Sequence, residues 1–132
     1  MTSRPALIAL GESAFVQLTT FRRNGEPVPT PVWVVRDGDA ISAFTPTSAG
    51  KLTRLAHTNR VTVIACNRGG AVEQGAEPIE AEAVVSTEPQ DVDRVTKRLA
   101  EKYGFQFTVA MLIEKVATRG KGRDRAAITI SG

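Results

Sequence analysis

The residues with the clearest chemical potential stand together in Thr45-Pro46-Thr47-Ser48-Ala49-Gly50-Lys51. The stretch follows a strand-like run and opens a helix-like one over about residues 49–57. A helix N-terminus presents unpaired N–H groups and the positive end of the peptide dipole. Ser48 adds a hydroxyl and Lys51 a charge, so the segment suits a phosphate. It is not a Walker A loop. That motif needs glycine where Thr45 stands, and a hydroxyl residue where Leu52 follows the lysine. The same spacing also describes an ordinary helix capped by Ser48 with a surface lysine. Arg54 lies three residues beyond Lys51 on the same helix face, and Arg60 follows the helix. The two either hold a second anionic group or form a solvated basic face.

Other reactive groups are scarce. The chain has one histidine and one cysteine. It therefore has no intrachain disulfide, no metal cage built from Cys and His alone, and no metal is expected. A Ser–His or Cys–His nucleophile system would have to run through His57. That residue ends a helix in LAHTNR, where a histidine equally serves the helix dipole. No residue is assigned a catalytic role. If the protein is an enzyme, the reactive atoms come from something it binds. The single tryptophan lies in Thr30-Pro31-Val32-Trp33-Val34. It either fills a core or walls a pocket for a flat ring.

Several elements must position these groups. Phe15–Phe21 reads as a strand, and Asn24-Gly25 as a turn. Val32–Arg36 reads as a second strand, with Pro27, Pro29 and Pro31 before it in an edge or strand-start position. An Asp37-Gly38 link then leads to a third strand over residues 39–44. Val61–Cys66 is a continuous apolar run, expected as a buried strand. Ile79–Val85 alternates, with Glu80 and Glu82 on one face. Thr87 and Gln90 form a capping box around Pro89, and Val92, Val95, Leu99 and Tyr103 follow at helical spacing. Gly104 stops that helix. A further helix covers about residues 106–117, and residues 126–130 close with a strand. The order β-β-β-α-β-β-α-α-β, rich in hairpins, predicts a mostly β fold. Its six short antiparallel strands form a small barrel with helices packed outside.

The chain has 132 residues, enough for one domain with its own core. Its 17 basic and 14 acidic side chains give a net charge of +3. Acids gather in residues 69–93 and bases in residues 115–125. Aromatic residues make up 5% of the chain and do not interleave with the bases, so no nucleic-acid partner is expected. The basic run suits a small polyanion or the acidic segment of a second copy. No apolar run approaches a membrane span. Ala6–Leu10 is too short for a secretory signal, and the free Cys66 suits a cytoplasmic protein.

Taken together, residues 15–34, the Gly50-Lys51-Leu52-x-Arg54-Leu55 helix, residues 59–66, Lys102-Tyr103-Gly104 and residues 123–130 carry a resemblance. The chain is similar to the pyridoxamine 5′-phosphate oxidase-like flavin- and deazaflavin-dependent oxidoreductases, and most similar to their F420-dependent branch. The pyridoxamine phosphate oxidases themselves carry a base in the flavin-lining strand, where Val32–Val35 is apolar. The resemblance implies a split β-barrel homodimer with cofactor sites at the subunit interface. Pro31, Val32, Trp33 and Val34 would flank the ring. Thr45, Thr47, Ser48, Gly50 and Lys51 would hold the phosphate, with Arg54 and Arg60 extending the groove. It implies F420 as cofactor, or FMN as the alternative, and hydride transfer to a small electron-poor acceptor of tetrapyrrole, quinone or enone type. A non-catalytic flavin or haem carrier is the other class the same fold would serve.

Overall fold

A computed structural model of the chain describes residues 3–117 and 124–132. The elements are α1 (Ser3–Ala9), a short 3-10 turn (Leu10–Glu12), β1 (Phe15–Phe21), β2 (Pro27–Val32), β3 (Val35–Asp37), β4 (Ala40–Pro46), α2 (Gly50–His57), β5 (Arg60–Cys66), β6 (Ile79–Ser86), α3 (Pro89–Tyr103), α4 (Phe105–Ala117) and β7 (Arg125–Ser131). The strands form one sheet in the order β2-β1-β5-β6-β7-β4-β3. Each neighbouring pair runs antiparallel. The sheet curls into a half-barrel with β2 and β3 as its two edges.

Strand alternation sorts the side chains onto two faces. Val16 and Leu18 of β1, Val61 and Val63 of β5, Ala81 and Ala83 of β6, and Ile128 and Ile130 of β7 all point inward. Leu7 of α1 and Leu55 of α2 close this core, with Leu52 packed beside it. The amphipathic spacing of Leu52 and Leu55 is what lays α2 over the inner face. On the outer face, Val95 and Leu99 of α3 pack on Val35 and Ala127, joined by Trp33, Phe44, Tyr103 and Phe107. Asp37 fastens α3 to β3: Arg94 and Arg98 reach it at 3.2 and 3.4 Å, and Ser42 Oγ donates to it at 2.9 Å.

Five expectations need correction. There are seven strands rather than six. The run Val32–Arg36 is not one strand: the prolines lie inside β2, and the chain leaves the ladder at Trp33 and Val34 before β3 begins. The two-residue link is Gly38-Asp39, with Asp37 paired to Ala40 and Gly38 at φ +67°. Ser48 does not cap α2; Ala49 holds that position without a side-chain bond. The Thr87–Gln90 box is not formed either. Glu88 takes the cap position, and Ser86 Oγ accepts its N–H at 3.2 Å while donating to Asp91 at 2.6 Å.

The β1–β2 hairpin explains how an edge strand carries three prolines. Arg22 N–H bonds the Glu26 carbonyl at 2.9 Å, and Gly25 at φ +85° completes the turn. That bond sets the parity of the ladder: Thr20↔Val28, Leu18↔Thr30 and Val16↔Val32 exchange hydrogen bonds. Pro27, Pro29 and Pro31 alternate with these residues, so no missing N–H falls on a β1 contact.

Candidate functional site

Two cavities gather the residues with binding chemistry. The first, about 550 Å³, lies between the β1–β2 turn and α2. Arg22, Arg23, Gly50, Thr53, Arg54, Ala56 and His57 line it. Arg54 is held rigidly: its Nε donates to Thr20 Oγ1 at 2.6 Å, and Thr20 is 1% exposed. A Cβ on Gly50 would meet Arg54 Nη1 at 3.0 Å. Glycine at that position therefore lets the guanidinium lie against the first turn of α2. Lys51, half-buried next to it, has its ammonium pushed below the ordinary lysine value, first by burial and then by the Arg54 charge. Among the described residues no carboxylate pairs with Lys51, Arg54 or Arg23, and Arg22 meets only Glu26 at 3.8 Å. The result is a concave, cationic site with little internal neutralisation, a fit for an anionic group.

The second cavity, about 490 Å³, lies on the outer face against α4. Phe15, Trp33, Phe105, Val109, Ala110 and Ile113 give it apolar walls, and Arg68 and Gln106 supply polar groups. Trp33 is fixed by stacking on Tyr103, with centroids 4.6 Å apart and planes at 15°. The segment behind Trp33 is clamped from the C-terminal turn of α3. Lys102 Nζ donates to the carbonyls of Gly11, Ser13 and Val34 at 2.7, 2.6 and 2.5 Å. Tyr103 Oη accepts the Val34 N–H at 3.0 Å and donates to the Ala14 carbonyl at 2.8 Å. Burial pushes the Tyr103 phenol up, opposed by its bond to Val34.

The sequence-derived candidates divide between these places. Gly50 and Arg54 line the first cavity, with Lys51 beside Arg54. Thr45 is 3% exposed in β4, paired with Ala126, while Thr47 and Ser48 are exposed in the turn that follows. Trp33 lines the second cavity, Pro31 lies exposed on the β2 edge, and Val32 is half-buried. Val34 is wholly enclosed in the inner core, and its backbone N–H and carbonyl are taken by Tyr103 and Lys102. Arg60 is on the outer face, paired with Glu80 at 3.1 Å and 4.3 Å over the Phe21 ring. It does not join Arg54.

Arg22, Arg23 and Lys102 enter without a role assigned from sequence. The first two reach α2 only because the β1 hairpin places its turn there, a tertiary fact with no local signal. Lys102, in the last turn before Gly104, has the spacing of a simple dipole partner. Of the basic run 115–125, Arg119, Lys121 and Arg123 lie outside the described residues. Arg125 pairs with Glu114 and sits 4.7 Å over the Phe44 ring.

The cavities lie at opposite ends and on opposite faces of β1. With a rise of about 3.3 Å per residue, Phe15 and Phe21 are separated by ~20 Å. Among the described residues no group of three or more His, Cys, Asp or Glu could hold a metal ion. No helix there is long and apolar enough to cross a membrane.

Comparison with known proteins agrees on the architecture. A conserved hypothetical protein from Mycobacterium tuberculosis superposes with a TM-score of 0.66 at 18% identity, over 98% of this chain and 79% of that one. The heme storage protein HutZ of Vibrio cholerae gives 0.64 at 14% identity, over 99% and 90%. An F420 reductase gives 0.55 at 15% identity, over 99% and 94%. At these identities the likeness is one of fold. No curated protein matches the chain. The family described as pyridoxamine 5′-phosphate oxidase matches residues 6–131, nearly the whole length, and the chain belongs to that family.

Proposed function

We propose that the protein is an F420-dependent oxidoreductase acting on a small electron-poor acceptor. The observation that carries this reading is that one chain presents both an unneutralised Lys51–Arg54 cradle and a clamped Trp33 wall, at separate places. The family and the F420 reductase among its fold neighbours support it. In this reading Gly50, Lys51 and Arg54 bind the cofactor phosphate, with the exposed Thr47 and Ser48 in the turn before α2 and Thr45 buried behind them in β4. Trp33 walls the ring, carried by the segment of Pro31, Val32 and Val34 that Lys102 and Tyr103 hold from behind. The chemistry supplied by bound F420 is hydride donation. The chain's own part is to bind, orient and exclude water, which matches its lack of a nucleophile system.

Because the cradle and the Trp33 wall stand about 20 Å apart on opposite faces, one chain does not assemble the whole site. The reading therefore requires a homodimer in which each site draws on both copies, with Arg60 extending the groove across the contact. The exposed side chains of Phe105, Leu112, Ile113 and Val116 on α4 offer an apolar face for that contact.

Titration with oxidised F420, followed by its absorbance, should saturate at roughly tens of micromolar or below. No saturable change defeats the assignment. FMN titrated in parallel tests the alternative cofactor. The heme storage neighbour favours a second reading, a non-catalytic carrier of a planar anion. Cofactor binding without turnover of quinones, enones or tetrapyrroles would select it.

A further inference from the structure

We propose that Thr20 is a positioning residue for the cationic cavity: its buried hydroxyl takes Arg54 Nε, so that the Nη1–Nη2 edge of the guanidinium is the one an oxyanion meets. Calling that oxyanion the cofactor's phosphate rests on the function proposed above; the aim of Arg54 does not.

Thr20 breaks an apolar row. Val16, Leu18 and Thr20 alternate along β1, so all three face the inner core beneath α2. Val16 and Leu18 are fully enclosed, and Thr20 continues their line at 1% exposure. Valine has the same branching and no polar group, so packing alone favours it there. A buried hydroxyl costs stability unless it is hydrogen-bonded. The partner that justifies this one is Arg54, whose Nε donates to Thr20 Oγ1 at 2.6 Å.

That bond decides which donors are left. A guanidinium has two bidentate edges, Nε with Nη2 at the side and Nη1 with Nη2 at the end. Thr20 occupies the side edge. The missing Cβ of Gly50 leaves room for Nη1, which lies 3.0 Å from where that atom would stand. The manner of fixing also sets Arg54 apart. Arg22, Arg60, Arg94 and Arg98 turn Nε to a carboxylate, which cancels charge as it orients. Arg54 is oriented by a neutral group and keeps its whole charge. Arg23 lines the same cavity but is exposed. Lys51 stands beside Arg54, and two cations held together repel until an anion joins them. Two parallel donors of fixed direction match two oxygens of a tetrahedral oxyanion. A single-atom anion such as chloride has no such fit.

Nuclear magnetic resonance of the Arg54 Nε–H group reads this cavity directly, its signal being the one lost in Arg54→Lys. Sulfate is the oxyanion, and chloride at equal ionic strength is the control. In the unmodified protein this proton should exchange with water more slowly than that of Arg23. Sulfate, and not chloride, should shift the Arg54 signals saturably. Thr20→Val frees the side chain and should weaken sulfate about fivefold, with the melting temperature in sulfate-free buffer unchanged or higher. Thr20→Ser keeps the hydroxyl and should bind nearly as the unmodified protein does. Sulfate bound as tightly by Thr20→Val as by the unmodified protein overturns the proposal. So does a loss in Thr20→Ser equal to that in Thr20→Val, because the effect is then one of packing. Rapid exchange of the Arg54 Nε–H overturns it in the unmodified protein, whatever the variants do. Saturable F420 binding with no sulfate response at Arg54 defeats this inference alone. The expected sulfate response without F420 binding defeats the cofactor reading alone.

Discussion

Lys102→Met tests whether the α3 terminus holds the Trp33 wall in place. The substitution keeps the length and apolar stem of the side chain and removes the ammonium. Three carbonyls, those of Gly11, Ser13 and Val34, lose their donor at once. A hydrogen bond to a charged group contributes about 1.5–3 kcal/mol. Burying the ammonium offsets part of the sum, and burial does push Lys102 below its ordinary value while the Glu12 carboxylate opposes that. A net loss of about 3 kcal/mol is expected. For a domain of this size that lowers the melting temperature by roughly 12 °C. Thermal unfolding followed by circular dichroism gives the stability. Trp33 emission, read in the still-folded variant, should shift to the red as residues 33 and 34 loosen. Tyr103→Phe removes fewer bonds and should cost about 1 kcal/mol. A Lys102→Met loss below about 1 kcal/mol with unchanged emission would falsify the clamp, because water would then be serving the carbonyls equally well.

Two further outcomes follow from close packing and from charge. Gly11→Ala places a Cβ 2.9 Å from Arg36 Cβ and 3.0 Å from its backbone N, and should cost about 1–3 kcal/mol in urea unfolding. Lys51 carries its charge only below its depressed pKa, so affinity for sulfate, whose own charge is constant above mildly acidic pH, should fall as pH rises through that point. Lys51→Gln should flatten the profile; an unaltered fall in that variant would assign the titration elsewhere. The unfolded chain holds this proton more tightly than the folded one. The Lys51 contribution to stability is therefore present above the unfolded pKa and is lost as pH falls through the folded one.

Local chemistry made much of the fold legible. Asn24-Gly25 marked the first hairpin, the 3-4-4 spacing of Val92, Val95, Leu99 and Tyr103 marked α3, and Gly104 its end. The antiparallel half-barrel followed from hairpins and alternation. The split between β2 and β3 did not, because Trp33 and Val34 are good strand residues that tertiary contacts with α3 pull out of the ladder. Helix α1 was hidden too: seven residues carry little periodicity, and burying Leu7 against the sheet is what holds them. At the candidate site, the closeness of Lys51 and Arg54 was readable from their three-residue spacing. Arg22 and Arg23 were not, since they reach α2 only through the path of β1. The start of α3 is instead braced by Ser86, which bonds both the Glu88 N–H and Asp91 one residue ahead of the expected Thr87 box.

The proline-bearing edge has a further consequence for how copies of this chain meet. Residues 27, 29 and 31 turn their peptide groups away from β1, and proline supplies no N–H there. Along that rim β2 shows carbonyl oxygens with no donor between them. A strand from another copy would find half of the expected ladder missing, and two such rims facing each other would present oxygen to oxygen. Open-ended growth through this border of the sheet is blocked by composition alone, without a covering helix or a lysine. A copy meeting this border would have to do so through side-chain surfaces, where register is set by shape and charge rather than by backbone repeat.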